Sequence, residues 1–172
     1  LRPRVALGQR QVQVGGSLSQ VDMGSHAVPK APGAAALASV SFTGTTKNSA
    51  GAGIAWPYRI RLVIQQGAIF SFEVIGALLS APFNVLETRN IPFTIPAVAP
   101  PGLYSATAFL QAATSDSSGN PTTTVQDIPG AVLTHPDAIS VAAAAGAAVP
   151  AGSVGSVDVS QAMVRAAQQF LQ

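Results

Sequence analysis

The sequence predicts an all-β protein: a two-sheet sandwich with an extended N-terminal arm and a short C-terminal helix. Three observations predict it. Between residues 37 and 141, apolar residues recur at every second position in about seven or eight short runs. Turn-forming Gly, Pro, Asn and Ser separate these runs at roughly the 8 to 12 residue spacing usual for sandwiches. No helical periodicity interrupts them, and short strands with frequent turns pack most economically as two layers.

Residues 1–36 read as an arm. Val5 and Leu7, then Gln11-Val12-Gln13-Val14, give brief alternations, and Gly15-Gly16, Gly24, Pro29, Pro32 and Gly33 break them up. One or two edge strands are expected. An arm of this kind cannot bury its own apolar face, so Val12 and Val14 must lie on the arm's own domain or on a neighbour's sheet edge.

The domain, residues 37–141, opens on Ala38, Val40 and Phe42, whose faces alternate with Ser39, Ser41 and Thr43. A Gly44-to-Gly51 turn follows. Tyr58, Ile60, Leu62 and Ile64 then alternate with Arg59, Arg61, Val63 and Gln65; Trp56, just before, is either a buried central-strand tryptophan or a bulky loop plug. Gln65-Gln66-Gly67 turns the chain into Phe70, Phe72 and Val74, with Glu73 opposite. Gly76 and Pro82 bound a leucine pair, and Phe83, Val85 and Leu86 come next. Ile91-Pro92-Phe93-Thr94-Ile95-Pro96 is extended and belongs on a sheet edge, because proline donates nothing to a ladder. Pro100-Pro101-Gly102 then stops one segment and Leu103-Tyr104-Ser105 begins another. A tyrosine there can bury its ring while its hydroxyl reaches back to a loop carbonyl. Thr114 to Thr124 reads as an exposed polar loop, and Val125 to Val141 as a last strand interrupted by Pro129 and Pro136.

With Gly102, Tyr104 and Trp56 in these places, the domain resembles immunoglobulin-like and fibronectin-like modules, whose tyrosine corner and central tryptophan occupy such positions. The run Val40 to Asn48 is similar to the strand-then-Asn turn of adhesion-type members. The resemblance implies a fold and no chemistry. It leaves immunoglobulin and jelly-roll strand order both open.

Residues 142–155 are Ala, Gly, Val and Ser, a linker composition. Residues 156–172 carry a helix signal. Ser160 can cap, Asp158 adds charge near the N-terminus, and Met163, Ala167, Phe170 and Leu171 follow at helical spacing. So short a helix needs a partner surface.

Composition narrows the function. Charged residues make up 9 % of the chain, against roughly 25 % in ordinary soluble domains. A surface so poor in charge is expected to be covered by other subunits, in a homo-oligomer or a larger assembly. A net charge of +2 does not point to nucleic acid, although Arg2, Arg4 and Arg10 cluster at the start. Cysteine is absent, which removes disulfides, thiolate metal sites and thiol catalysis. No apolar run reaches the length of a membrane span. The chain starts without Met and without a signal-peptide pattern, so a removed leader or a missing start is expected.

Catalytic motifs are not found. His26 and His135 lie far apart in sequence, and no Gly-x-Ser-x-Gly elbow presents a serine. Glu73 and Glu87 would be the candidates for a glycosidase pair, and solvated positions suit both better. Asp116 to Asn120 is similar to a calcium loop but lacks its alternating ligands and terminal Glu. Gly51-Ala52-Gly53 precedes no helix, so it makes no dinucleotide loop. The chain is therefore expected to be no enzyme and to need no cofactor, metal or small-molecule ligand.

Terminal arms on a chemically silent sandwich resemble those of small phage virion proteins, such as capsid decoration or head-tail accessory subunits. That resemblance implies a structural subunit of a virion or other extracellular surface, held by residues 1–36 and 156–172. The alternatives are an exported adhesin or carbohydrate-binding module reading ligands through the loops 44–53 and 114–124, and a pilin-like subunit that donates its Gln11 to Val14 strand.

Overall fold

The computed structural model describes residues 11–143. They form β1 (Gly16–Asp22), β2 (Ala35–Gly44), β3 (Trp56–Gln66), β4 (Phe70–Ile75), β5 (Leu79–Ala81), β6 (Leu86–Thr94), β7 (Gly102–Ser115) and β8 (Pro121–Val141). No helix occurs among the described residues. The linker and helix expected at 142–155 and 156–172, with Met163, Ala167, Phe170 and Leu171, fall almost wholly outside them, as do Arg2, Arg4 and Arg10.

Two antiparallel sheets share one apolar core, the architecture of a β-sandwich. One sheet has the order β1-β2-β6; the other has the order β4-β3-β7-β8, with β5 also pairing β3. Alternation sets the layers. Trp56, Tyr58, Ile60, Leu62 and Ile64 on β3 are buried, and on β7 Tyr104, Ala106, Ala108, Leu110 and Ala112 are buried opposite them. Ala38, Val40 and Phe42 of β2 supply the facing layer. The small alanines of β7 leave room beside the large side chains of β3 in the same sheet.

Trp56 is 2 % exposed, and its Nε1 donates to the Ala113 carbonyl at 2.8 Å. It is a core residue on β3 and not a loop plug. Tyr104 buries its ring and donates its hydroxyl to the Pro100 carbonyl at 2.6 Å, the corner contact anticipated for it. Gly102 makes that corner possible with φ at 135°, a conformation other residues rarely adopt. The 91–96 stretch enters β6, which is an edge strand, so the cost of Pro92 to the ladder is small.

Three segments sharpen the sequence reading, and the second corrects it. The edge strand expected within residues 1–36 is β1, which pairs with β2 of the chain's own domain from Gly16↔Gly44 to Asp22↔Ser39, with Val21 and the following Met23 buried. The polar run Thr114 to Thr124 is mostly ladder: β7 and β8 close on a turn at 116–120, and Thr114 and Thr122 share a 2.5 Å hydroxyl contact. Hydroxyls on an exposed face suit a strand as well as a loop. Finally, β8 runs through Pro129 and Pro136 by taking three register shifts, with positive φ at Gly130 and Asp137.

Candidate functional site

Among the described residues no group of three His, Cys, Asp or Glu side chains could hold a metal. Asp116 spends an oxygen on its own turn, accepting from the Ser118 and Asn120 amides at 2.9 Å each. Glu73 and Glu87 are not brought together. Glu73 pairs with Arg61 across the outer face of β4 and β3, while Glu87 lines a cleft on the other strand set.

That cleft, about 400 Å³, lies on the flank of the sandwich between β6 and the 75–79 segment. Ile60, Ile75, Leu79 and Ile91 form its apolar lining, and Glu87 and Arg89 are its charged groups. Register explains why charges stand there. Glu87, Arg89, Ile91 and Phe93 share the core-facing side of β6, opposite Phe42, Val40, Ala38 and Ala36 of β2. The first two positions of a core-facing row are thus charged.

Arg89 is satisfied by the opposite sheet. Its guanidinium donates to the Tyr58 carbonyl at 2.5 Å and to the Leu79 carbonyl at 2.8 Å. It also lies over the Phe42 ring at 4.9 Å, and its Nε stands 3.6 Å from Glu87. Arg89 therefore stitches β6 to β3 and β5 across the open flank. Burial draws its pKa below the usual arginine value, and the neighbouring Glu87 carboxylate opposes that shift.

The flank is also where apolar surface is exposed. Val85, Leu86, Leu37, Ile75 and Leu79, each 47–63 % exposed, lie on or beside β6 and its cleft. They are half of the ten most exposed large apolar side chains among the described residues. On the outer face of the same sheet, Ser39 donates to Asn90 at 2.7 Å and Ser41 meets Thr88 at 2.7 Å, an uncharged ladder.

Val12 and Val14 precede β1, the other edge strand of this sheet. Both are half-buried against the domain's own core. Gln13 exchanges main-chain hydrogen bonds with Lys47 at 2.8 and 2.9 Å. A closed ring of hydrogen bonds fixes the next residue: the Gly15 amide donates to Thr46 Oγ1 at 3.3 Å, Thr46 contacts the Tyr58 hydroxyl at 2.5 Å, and Tyr58 donates back to the Gly15 carbonyl at 2.8 Å. Burial raises the Tyr58 pKa, with the Thr46 hydrogen bond partly opposing it. Gly44 has no side chain for a packing reason, because a Cβ there would fall 2.6 Å from the Tyr58 ring.

Sequence reasoning missed the Glu87 and Arg89 pair. The available signal was that both precede Ile91 and Phe93 in one alternating series, on a strand ending in an edge-type proline. No protein-family model, characterised protein or solved structure matches the chain.

Proposed function

We propose that this protein is a non-enzymatic structural subunit of a large assembly, of the kind found in virions as capsid decoration or head-tail accessory proteins. Its localisation on that reading is a virion or another extracellular surface. The observation that carries the reading is the apolar flank around β6 on a chain with only 9 % charged residues. Surface of that kind favours contact with other protein, and the low charge leaves little else to solvate it. The terminal segments, with Met163, Ala167, Phe170 and Leu171 in the C-terminal one, are proposed as further points of attachment to neighbours.

We also infer that the sandwich is of the immunoglobulin-like or fibronectin-like kind. Support comes from β2 pairing with β6 in one sheet and β3 with β7 in the other, as strands B with E and C with F do in that fold. The buried Trp56 on β3 and the Tyr104 corner on β7 add to it.

The test is the mass of the full chain by light scattering across a wide concentration range, for wild type and for Phe170→Glu. Concentration-dependent oligomers that shrink in the variant are the expected result. Strict monomers in both would remove the self-association this reading needs, and would move an adhesin or carbohydrate-binding role ahead. A pilin-like donation of the Gln11 to Val14 strand is the weaker alternative, because Val12 and Val14 rest on their own core.

A further inference from the structure

We infer that two copies of this chain associate through β6, paired antiparallel about a two-fold axis at Thr88, so that each β1-β2-β6 sheet continues into the other. The inference rests on the assembly reading above and names its first partner, a second copy.

Four observations converge on that register. First, β6 is the longest edge strand among the described residues whose ladder has no register shift, nine residues against β2. An unpaired row of this regularity is a template for another strand. Second, its core-facing charges repel most strands but match themselves. With Thr88 opposite Thr88, Glu87 of one copy lies opposite Arg89 of the other, twice by symmetry. Opposite charges in a directly facing pair stabilise, and like charges there destabilise. A foreign apolar strand would cover both groups without adding an opposite charge to either, so the pair discriminates as well as attracts.

Third, the outer face fits in the same register. Leu86 falls opposite Asn90 and diagonal to Pro92, and Pro92 faces Leu37 on β2. The exposed leucines of each copy therefore meet apolar surface on the other. Fourth, the proline is excluded from the new ladder. Pairing over 86–90 places Pro92 opposite Asn84, whose amide is already donated to the Gly44 carbonyl at 2.7 Å, so no new bond is lost there. The cleft between β6 and 75–79 is the space that the added strand's core-facing side chains enter.

The absence of cysteine allows a direct test in the full chain. Directly opposed residues of an antiparallel pair have Cα atoms about 4.5 to 5.5 Å apart, within reach of a disulfide. Thr88→Cys should therefore give a covalent dimer on mild oxidation. Leu86→Cys should not, since the two copies of that residue would lie about 13 Å apart along the strand. Glu87→Lys should weaken the reversible dimer about tenfold, because two facing pairs become repulsive. Thr88 is exposed, so its replacement leaves the core alone.

A dimer from Leu86→Cys but none from Thr88→Cys would overturn the register. Oligomers of wild type with no cross-link from either variant would overturn the inference and leave the assembly reading standing on another surface. A wild type that is monomeric at every concentration would end both this inference and the self-association on which it rests.

Discussion

Two free edges of the sandwich, β8 and β6, are built in opposite ways. Strand β8 is long, 21 residues, but takes three register shifts and contains Pro129 and Pro136. The chain's own 26–30 stretch then covers its end. Lys30 donates to the Ser140 carbonyl at 2.9 Å, Ala142 donates to the Lys30 carbonyl at 2.9 Å, and Ser140 Oγ donates to the His26 carbonyl at 2.7 Å. Strand β6 has no shift, and its flank exposes apolar side chains. Kinks, prolines, inward-pointing charges and a covering segment are the ordinary means of closing an edge to other chains. Strand β8 uses kinks, prolines and a cover, while β6 carries Pro92 and the inward Glu87 and Arg89. One edge is closed by irregularity; the other keeps an unbroken ladder and bears inward charges. The lesson is that two edges of one small domain can be guarded by different devices.

The comparison can be broken at its strongest point first. Strand β8 is held by apolar packing, with Ile139 at 1 % exposure. Ile139→Ala should cost about 3 kcal/mol in urea unfolding, mostly through the cavity left behind. A loss under 1 kcal/mol would mean that β8 is not core-bound. Strand β6 is held instead by polar stitching. Arg89→Met should cost about 2 kcal/mol, because it abandons the Tyr58 and Leu79 carbonyls. An unchanged urea midpoint would show that those contacts contribute nothing and that β6 is held by its ladder alone.

A finer probe is the kink in β8. Gly130 has φ at 79° with open space around it, so Gly130→Ala should lose about 1 kcal/mol through backbone strain alone. A stabilised variant would argue that β8 is straighter than described. The last effect shows only at alkaline pH. Burial raises the pKa values of Tyr58 and Tyr104 above 10.0, so unfolded tyrosines ionise first as pH climbs. The stabilisation is complete below pH 10 and is lost as pH rises toward the folded values. Tyr58→Phe should flatten part of that alkaline slope, and an unchanged slope would place the titration elsewhere.

The same contrast explains what could be read from the sequence. Strands β2, β3 and β7 were legible because their alternation is unbroken, from Ala38 to Phe42, Trp56 to Ile64 and Tyr104 to Ala112. Residues 1–36 read as holding edge strands, but the bounds of β1 were hidden by the register shift between Leu18 and Gln20, which puts inward Leu18 and Val21 out of a two-residue period. Strand β8 was legible from Val125 to Val141, but its prolines made it read as interrupted where it runs through. In β6 the inward row itself is charged at Glu87 and Arg89, so hydropathy pointed the wrong way. The candidate site was illegible for that reason: only the opposite sheet's carbonyls make a buried arginine reasonable, and their position is a fact of tertiary structure.

Trp56 has a use beyond packing. It is the only tryptophan in the chain, and its indole is bonded to a carbonyl of the neighbouring strand β7. Its fluorescence should be blue-shifted and shielded from acrylamide for as long as β3 and β7 stay paired. Events on the outer side of β6 should leave that emission alone, whereas loss of the sandwich should shift it to the red. The protein thus carries a built-in optical reporter able to separate association of intact domains from unfolding, without any added label.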